Sequence, residues 1–194
     1  ISMDEPILKR TIPSSSEKIP AVGLGTWQTF DVGDNEKERT PLKAVLKTLV
    51  ETGGSVVDSS PMYGSSESVV GDLSTELKVN GKLFIATKVW TSGEESGIRQ
   101  MNHSLAMLKR EKLDLMQIHN LLDWHTHIKT LSDWKEQGKI RYIGITHYTE
   151  SAYPSVEQIL KSQTLDFLQI NYSLLSRSAE ERLFPVAQEK GVAI

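Results

Sequence analysis

Short apolar runs recur along this chain, and segments with helical spacing of apolar residues separate them. The seven runs read AVGLGT, SVVDSS, LFIATK, LDLMQIH, RYIGIT, LDFLQIN and GVAI. Between the first two runs, Leu42, Val45, Leu46 and Leu49 repeat with the period of one helix face. From the second run onward, the spacing of the runs is that of one strand–helix unit. The pattern therefore predicts strands and helices in strict alternation.

Strands that are apolar through most of their length favour a parallel sheet covered on both faces. An uninterrupted series of such units predicts a (β/α)8 TIM barrel, here as a single α/β domain over residues 1–194. A doubly wound open sheet is the competing architecture. A complete barrel has about 250 residues and eight strands. Because this chain stops inside the seventh run, we expect its C-terminal strands and helices to be missing or replaced by another segment.

The segment ILKRTIPSSSEKIP precedes the first run, and its polar centre separates two short extended stretches. It predicts an N-terminal hairpin that closes the floor of the barrel. Helix starts are predicted at Thr40-Pro41, at Ser65 or Ser66 ahead of Glu67, and at Ser178.

Composition narrows the classes of partner and chemistry. The net charge of -3 gives no reason to expect nucleic acid or an anionic membrane, so a small-molecule ligand is favoured. The chain has no cysteine, which excludes disulfides, thiolate zinc sites and cysteine nucleophiles. No run approaches the ~20 apolar residues that cross a bilayer, and Ile1 to Arg10 lack the pattern of a secretory leader. We expect a cytoplasmic protein, with Ile1-Ser2 ahead of Met3 as a remnant of an expression vector.

Polar residues at the ends of the runs are the candidates for chemistry, because barrel active sites form at the C-terminal ends of the strands. Asp58 ends SVVD, and Tyr63 follows in the next loop. Lys88 ends LFIATK, and His119 ends LDLMQIH. Three consecutive strands thus bring an acid, a phenol, an amine and an imidazole to one rim. Taken singly, each also has a structural interpretation, such as an ion pair between Asp58 and Lys88.

The order of these residues resembles the Asp-Tyr-Lys-His signature of the aldo-keto reductases. The resemblance rests on VVDSSPMYGSSE, then FIATK, then LDLMQIH, and it extends to IPAVGLGTW, GKIRYIGIT and LDFLQINYS as the first, fifth and sixth strands. It covers nearly the whole chain. It implies an NAD(P)H-dependent oxidoreductase that reduces an aldehyde, ketone or aldose carbonyl to an alcohol. The alternative is a catalytically silent or regulatory barrel subunit that keeps cofactor-like contacts.

The implied roles agree with physical chemistry. A tyrosine phenol ordinarily has a pKa near 10, which makes it a poor proton donor at neutral pH. An ammonium group beside it, as the resemblance places Lys88 beside Tyr63, favours the phenolate and so assists proton transfer. Asp58 would balance the charge of Lys88, since an unpaired buried ammonium is costly. The resemblance places His119 beside the substrate carbonyl, where a neutral ring N–H would orient the oxygen.

The resemblance also implies cofactor contacts at Thr26, Thr146, His147 and Gln169, and it makes NADP(H) the expected cofactor with NAD(H) as the alternative. Many relatives carry Ser-Asn where this chain has Thr146-His147, and an imidazole has a different hydrogen-bonding geometry from an amide. Asn171 lies one period-two step beyond Gln169 and would face the same site. The chain has no Gly-x-Gly-x-x-Gly dinucleotide loop.

Other residues near the predicted strand ends are candidates for pocket or metal roles. Trp27 and Trp90 follow strands and are expected to line an apolar substrate pocket. His125 and His127, with His147 as a third ligand, would be the candidates for a metal site. We expect no metal there because no carboxylate cluster accompanies them. Nothing in the sequence indicates an oligomeric state.

Overall fold

The computed structural model describes residues 7–194, so the interpretation of Ile1 and Ser2 as a remnant lies outside the described residues. The strands are β1 (Lys9–Thr11), β2 (Lys18–Pro20), β3 (Leu24–Gly25), β4 (Val56–Asp58), β5 (Phe84–Val89), β6 (Leu113–His119), β7 (Ile140–Thr146) and β8 (Phe167–Gln169). The α-helices are α1 (Glu36–Glu51), α2 (Ser66–Glu76), α3 (Glu94–Met107), α4 (Trp124–Glu136), α5 (Tyr153–Ser162) and α6 (Ala179–Lys190). Short 3₁₀ turns lie at Asn80–Lys82 and Glu150–Ala152. Strand and helix alternate from β3 onward, as the apolar runs predict.

The six strands β3 to β8 form one parallel sheet whose spatial order is the order of the sequence. A doubly wound sheet reverses its strand order at a switch point, and this sheet does not. The sheet is the curled wall of a (β/α) barrel, which confirms the predicted fold class. The register pairs Lys88 with Gln117 and His119 with Thr146. Polar ends of consecutive strands therefore meet along one edge.

The seventh apolar run begins to extend this wall. Ala193 forms a parallel bridge with Phe167. The N–H of Leu168 donates to the carbonyl of Ala193 at 2.8 Å, and the N–H of Ala193 donates to the carbonyl of Asp166 at 2.9 Å. The run GVAI thus takes the position that the alternation of strands and helices predicts for it, next to β8.

The predicted N-terminal hairpin is present, with β1 and β2 paired antiparallel. Ile12, between them, is buried in a small apolar cluster with the inward side chains Phe84, Leu115 and Tyr142. The hydroxyl of Ser15 lies 2.7 Å from the hydroxyl of Tyr142. These contacts are near the amino ends of the strands, so the hairpin covers the floor, as predicted.

The main core lies between the outer face of the sheet and the helices, and it includes Leu46, Leu73, Met101, Leu131 and Leu160. No helix formed by the described residues 7–194 is both long enough and apolar enough to cross a bilayer.

The predicted start of α1 at Thr40-Pro41 is wrong, because the helix begins at Glu36. The side chain of Asn35 accepts the N–H of Lys37 at 3.1 Å and caps the helix five residues earlier than Thr40 would with Pro41 as the first helical residue. Pro41 lies inside the helix instead. The predicted starts at Ser65 and Ser178 are confirmed, since these residues directly precede α2 and α6.

Candidate active site

A buried ion pair forms the base of the candidate site. The Nζ of Lys88 lies 2.7 Å from Oδ2 of Asp58 and also donates to the carbonyl of Ser59 at 2.7 Å. Side chains alternate along β5, so Phe84 and Ala86 face the barrel interior, and Lys88 follows them on that face. Lys88 is only 1% exposed. Such burial requires a partner, and Asp58, at the end of the neighbouring strand, supplies the opposite charge.

Tyr63 lies beside the Lys88 ammonium of this pair. The Lys88 ammonium lies 4.9 Å from the centroid of the Tyr63 ring. A tight turn holds the tyrosine, because its N–H donates to Ser60 at 3.1 Å and its carbonyl accepts from Ser66 at 3.0 Å. Gly64 favours this turn: its φ is +57°, and a Cβ there would approach the carboxylate of Asp31 to 2.3 Å, so a larger residue would displace that side chain. The turn therefore fixes the phenol beside a positive charge.

His119 completes the group from the end of β6. Its ring lies edge-on to Tyr63, with centroids 6.3 Å apart. Burial, and then the nearby charge of Lys88, lower the pKa of His119 to about 4. Its Nδ1 lies 3.4 Å from the hydroxyl of Ser60, whose oxygen already accepts the N–H of Met62. Donation of the Ser60 proton to Nδ1 would place the hydrogen of the neutral ring on Nε2.

Two glutamines hold the carboxylate of Asp58, and the sequence interpretation missed the first of them as a site residue. Gln117 donates to Oδ1 at 3.2 Å, and Gln169 donates to Oδ2 at 3.4 Å. Gly144 leaves room for Gln117, since a Cβ there would lie 3.1 Å from its Cγ. The signal that would have found Gln117 is the repeat LDLMQIH and LDFLQIN, in which both glutamines occupy the same place.

One cavity of about 210 Å³ brings most of the predicted residues together. Its lining residues are Tyr63, Lys88, His119, Asn120, Thr146, His147, Tyr148, Gln169, Ile170 and Asn171. Three of the four catalytic candidates thus share a cavity with three of the four predicted cofactor contacts, and the fourth, Asp58, is paired to Lys88. Asn171 faces the cavity, as the alternation of side chains along β8 and beyond it predicts. Asn120 and Tyr148 are wall residues that the sequence interpretation did not identify.

The geometry of His147 defines which hydrogen bond it offers. Its Nδ1 accepts the backbone N–H of Tyr148 at 2.9 Å and that of Thr149 at 3.2 Å. The proton of the neutral ring is therefore on Nε2, and burial lowers the pKa of His147, which favours that neutral form. Thr146, next to it, is buried, and its Oγ accepts the N–H of Asn120 at 3.3 Å, which leaves the hydroxyl proton for another partner.

The other predicted contacts lie apart from this cavity. Thr26 is fully buried, and its hydroxyl lies within hydrogen-bond distance of the Asp58 carbonyl, 2.9 Å, and the Ser59 hydroxyl, 3.0 Å. Trp27 is 64% exposed and Trp90 is 40% exposed, and neither is among the residues that line the cavity. Their roles as cofactor contact and pocket walls stay predictions.

The histidines considered for a metal have separate surroundings. His127 is buried, and its Nε2 lies 2.6 Å from the carbonyl of Thr91, while His125 stacks on Trp124. Within the described ranges, no three histidine, aspartate or glutamate side chains are grouped so that they could hold a metal ion.

Comparisons with family models, curated proteins and solved structures indicate the same family. The model of the aldo/keto reductase family matches residues 21–194. Methylglyoxal reductase YeaE of Escherichia coli K12 is 29% identical over 187 residues, which cover 93% of this chain and 64% of that protein. The chain spans between 60% and 65% of the length of the first curated relatives that it matches.

Solved structures agree in fold. The thermostable aldo-keto reductase Tm1743, in complex with the inhibitor epalrestat, superposes with a TM-score of 0.80 at 27% identity, over 96% of this chain and 70% of that one. An aldo/keto reductase from Klebsiella pneumoniae, in complex with NADP and acetate, superposes with a TM-score of 0.78 at 25% identity, over 95% of this chain and 66% of that one.

Proposed function

Because the chain belongs to the aldo-keto reductase family, we propose that it provides the catalytic centre of an NADP(H)-dependent reductase that converts a small aldehyde or ketone to an alcohol. One observation carries the proposal: the Lys88–Asp58 ion pair lies against Tyr63 at a cavity that also contains His119. Four groups with different chemistry converge there from consecutive strand ends. A silent barrel subunit would not need this arrangement.

In the proposed reaction, Tyr63 is the proton donor. Its phenol protonates the carbonyl oxygen, and the Lys88 ammonium, 4.9 Å from the ring centroid, stabilises the phenolate that remains. Asp58 keeps Lys88 in place and balances its charge. His119, held neutral by its lowered pKa of about 4, donates from Nε2 to the same oxygen and orients it.

Thr146, His147 and Gln169 are proposed to hold the cofactor. When bound, a nicotinamide cofactor supplies hydride to the carbonyl carbon. The groups on this wall fit its carboxamide, because Thr146 and His147 each have a proton to donate, and the side-chain amide oxygen of Gln169 can accept one. NADP(H) is proposed ahead of NAD(H) because the similar K. pneumoniae structure contains NADP. The hydroxyl of Thr26 lies within hydrogen-bond distance of the Asp58 carbonyl and the Ser59 hydroxyl, so Thr26 is proposed to hold the turn after β4.

The proposed substrate class is small 2-oxoaldehydes and related carbonyls. The support is that similar curated proteins are methylglyoxal reductases, and that the cavity is small and polar. Larger aldoses are the broader alternative. Nucleic acid is not a proposed partner, given the net charge of -3.

The test follows the loss of NADPH absorbance with methylglyoxal, using the full natural protein and its Tyr63→Phe variant. We expect turnover by the unaltered protein and a loss of roughly 10²- to 10⁴-fold in kcat for the variant, with NADPH affinity retained. Equal turnover by the two proteins would remove Tyr63 as the proton donor. Absence of turnover with tight NADPH binding would favour the silent barrel.

A further inference from the structure

Glu67 is a buried carboxyl group that the proposed reaction does not use. It is 3% exposed, and its Oε1 accepts the hydroxyls of Thr87 and Ser104, each at 3.0 Å. Its Oε2 is buried and has no hydrogen-bond partner within residues 7–194. A charged oxygen left unpaired in the interior is more costly than a neutral one. Burial of this unpaired oxygen therefore makes Glu67 harder to ionise than a carboxyl group in water.

The position of Glu67 links the two segments that carry the proposed proton donor and its ammonium. Helix α2 begins at Ser66, whose N–H donates to the carbonyl of Tyr63 at 3.0 Å, so Glu67 lies one residue into the helix that follows the Tyr63 turn. Its partner Thr87 directly precedes Lys88 on β5. Neighbouring strand residues point to opposite faces, so Glu67 lies behind the strand whose inner face carries Lys88.

The charges around Glu67 come from few groups. From β5 it faces the hydroxyl of Thr87 and the field of the Lys88 ammonium, and from α3 it faces the hydroxyl of Ser104. Burial raises the pKa of Glu67 to about 6, although the two hydroxyls and Lys88 act in the opposite direction. Glu67 therefore changes its charge in mildly acidic solution.

We propose that Glu67 is a positioning residue for Tyr63 and Lys88: as a neutral acid it holds the Tyr63 turn against β5, and once ionised it opposes the Lys88 ammonium from the outer face of the strand. The proposal rests on the proposed role of Tyr63 as proton donor. Ionised Glu67 would partly offset the positive field at the phenol, so proton donation by Tyr63 weakens as Glu67 loses its proton.

The test observes Tyr63 directly in the full natural protein labelled with ¹³C at the tyrosine ζ carbons, with Tyr63→Phe to assign the resonance. We expect the Tyr63 resonance to shift with a midpoint near pH 6, the pKa of Glu67. Glu67→Gln keeps the size and the hydrogen-bonding oxygen, so it should remove this shift. Glu76→Gln is the matched control, because Glu76 is on the same helix and pairs with Lys43 at the surface. It should leave the shift unchanged.

A second variant keeps the test decisive if Glu67→Gln does not fold. Thr87→Val removes one hydroxyl that stabilises the ionised form, so the midpoint should move above pH 6. A Tyr63 resonance with no inflection near pH 6 in the unaltered protein, or one that persists in Glu67→Gln, would overturn the proposal. So would an unchanged midpoint in Thr87→Val.

The kinetic counterpart is a fall of roughly two- to fivefold in kcat as pH rises through 6, absent in Glu67→Gln. The spectroscopic shift does not require turnover. A protein that shows the shift and reduces no carbonyl would contradict the proposed function and leave the link between Glu67 and Tyr63 intact. A protein that reduces carbonyls without the shift would contradict the link between Glu67 and Tyr63 and leave the proposed function intact.

Discussion

The two ends of the parallel strands both contain charge networks, and they use them differently. At the amino ends, Arg141 bonds Asp114 at 2.8 Å and also Glu17 of the hairpin, while Arg110 bonds Asp114 at 3.2 Å. Each of these charges joins one element to another. At the carboxyl ends, the Lys88–Asp58 pair lies against Tyr63 and a cavity. An ion pair therefore becomes a candidate for chemistry when a reactive group and free space adjoin it.

Replacing Lys88 at the carboxyl ends or Arg141 at the amino ends by methionine should give the largest difference in activity between the two ends of the strands. Lys88→Met removes the group that stabilises the Tyr63 phenolate, so we expect kcat to fall by roughly 10²- to 10⁴-fold. It also leaves Asp58 without its partner, at a cost of about 3–5 kcal/mol in the free energy of unfolding. Kinetics with methylglyoxal and urea unfolding measure the two effects. Full activity in this variant would show that the Lys88–Asp58 pair, like the network at the floor, contributes only to stability.

Arg141→Met is the matched change at the floor. It removes the bonds to Asp114 and Glu17, and we expect the free energy of unfolding to fall by about 1–3 kcal/mol. The kcat of the folded protein should stay the same, because the hairpin contacts lie at the opposite end of the strands from Tyr63. Urea unfolding combined with kinetics at a permissive temperature tests this. A loss of kcat as large as that of Lys88→Met would remove the distinction between the two ends.

The raised pKa of Glu67, which lies behind the strand that carries Lys88, predicts that the free energy of unfolding depends on pH. Its pKa is about 6 in the folded protein and 4.5 as the ordinary value, so the folded state holds the proton more tightly. The stabilisation is fully present below pH 4.5 and is lost as pH rises through 6, in total about 2 kcal/mol. Urea unfolding at pH 4.5 and pH 7 should show it. Glu67→Gln should abolish this component, and a variant with the same pH dependence as the unaltered protein would exclude Glu67 as its source.

The smallest expected effect is the charge of His119. Because burial and Lys88 lower its pKa to about 4, the ring should remain neutral from pH 8 down to pH 5. Proton–carbon NMR of the histidine rings, with His119→Gln to assign the resonance, follows this directly. A midpoint near 6.5 would show that the cavity leaves His119 as open to water as a surface histidine.

Much of the fold could be predicted from the sequence because the barrel is built from local units. Each strand and each helix is predicted from the pattern of its own residues. The positions of Asp58, Lys88 and His119 follow from where the apolar runs end. The predicted start of α1 is wrong because Thr40-Pro41 is a strong local signal, and Asn35, which is an equally favourable N-cap, lies outside the stretch of apolar periodicity that indicates the helix.

The rest of the site depends on contacts between distant segments. The bond from Gln117 to Asp58 joins residues 59 positions apart, and that from Thr87 to Glu67 depends on how α2 packs against β5. A glutamine inside an apolar run does not indicate its partner. The tautomer of His147 likewise depends on backbone N–H groups whose directions only the folded loop defines.

A double-mutant cycle tests most directly whether Lys88 acts through Tyr63. The kcat/KM for methylglyoxal is measured for the unaltered protein, Tyr63→Phe, Lys88→Met and the variant with both changes. Since Lys88 assists only the phenol, the double variant should be no less active than Tyr63→Phe alone, within about twofold. If the two losses multiply instead, the ammonium and the phenol act independently, and the account of the ion pair as the support of the proton donor is contradicted.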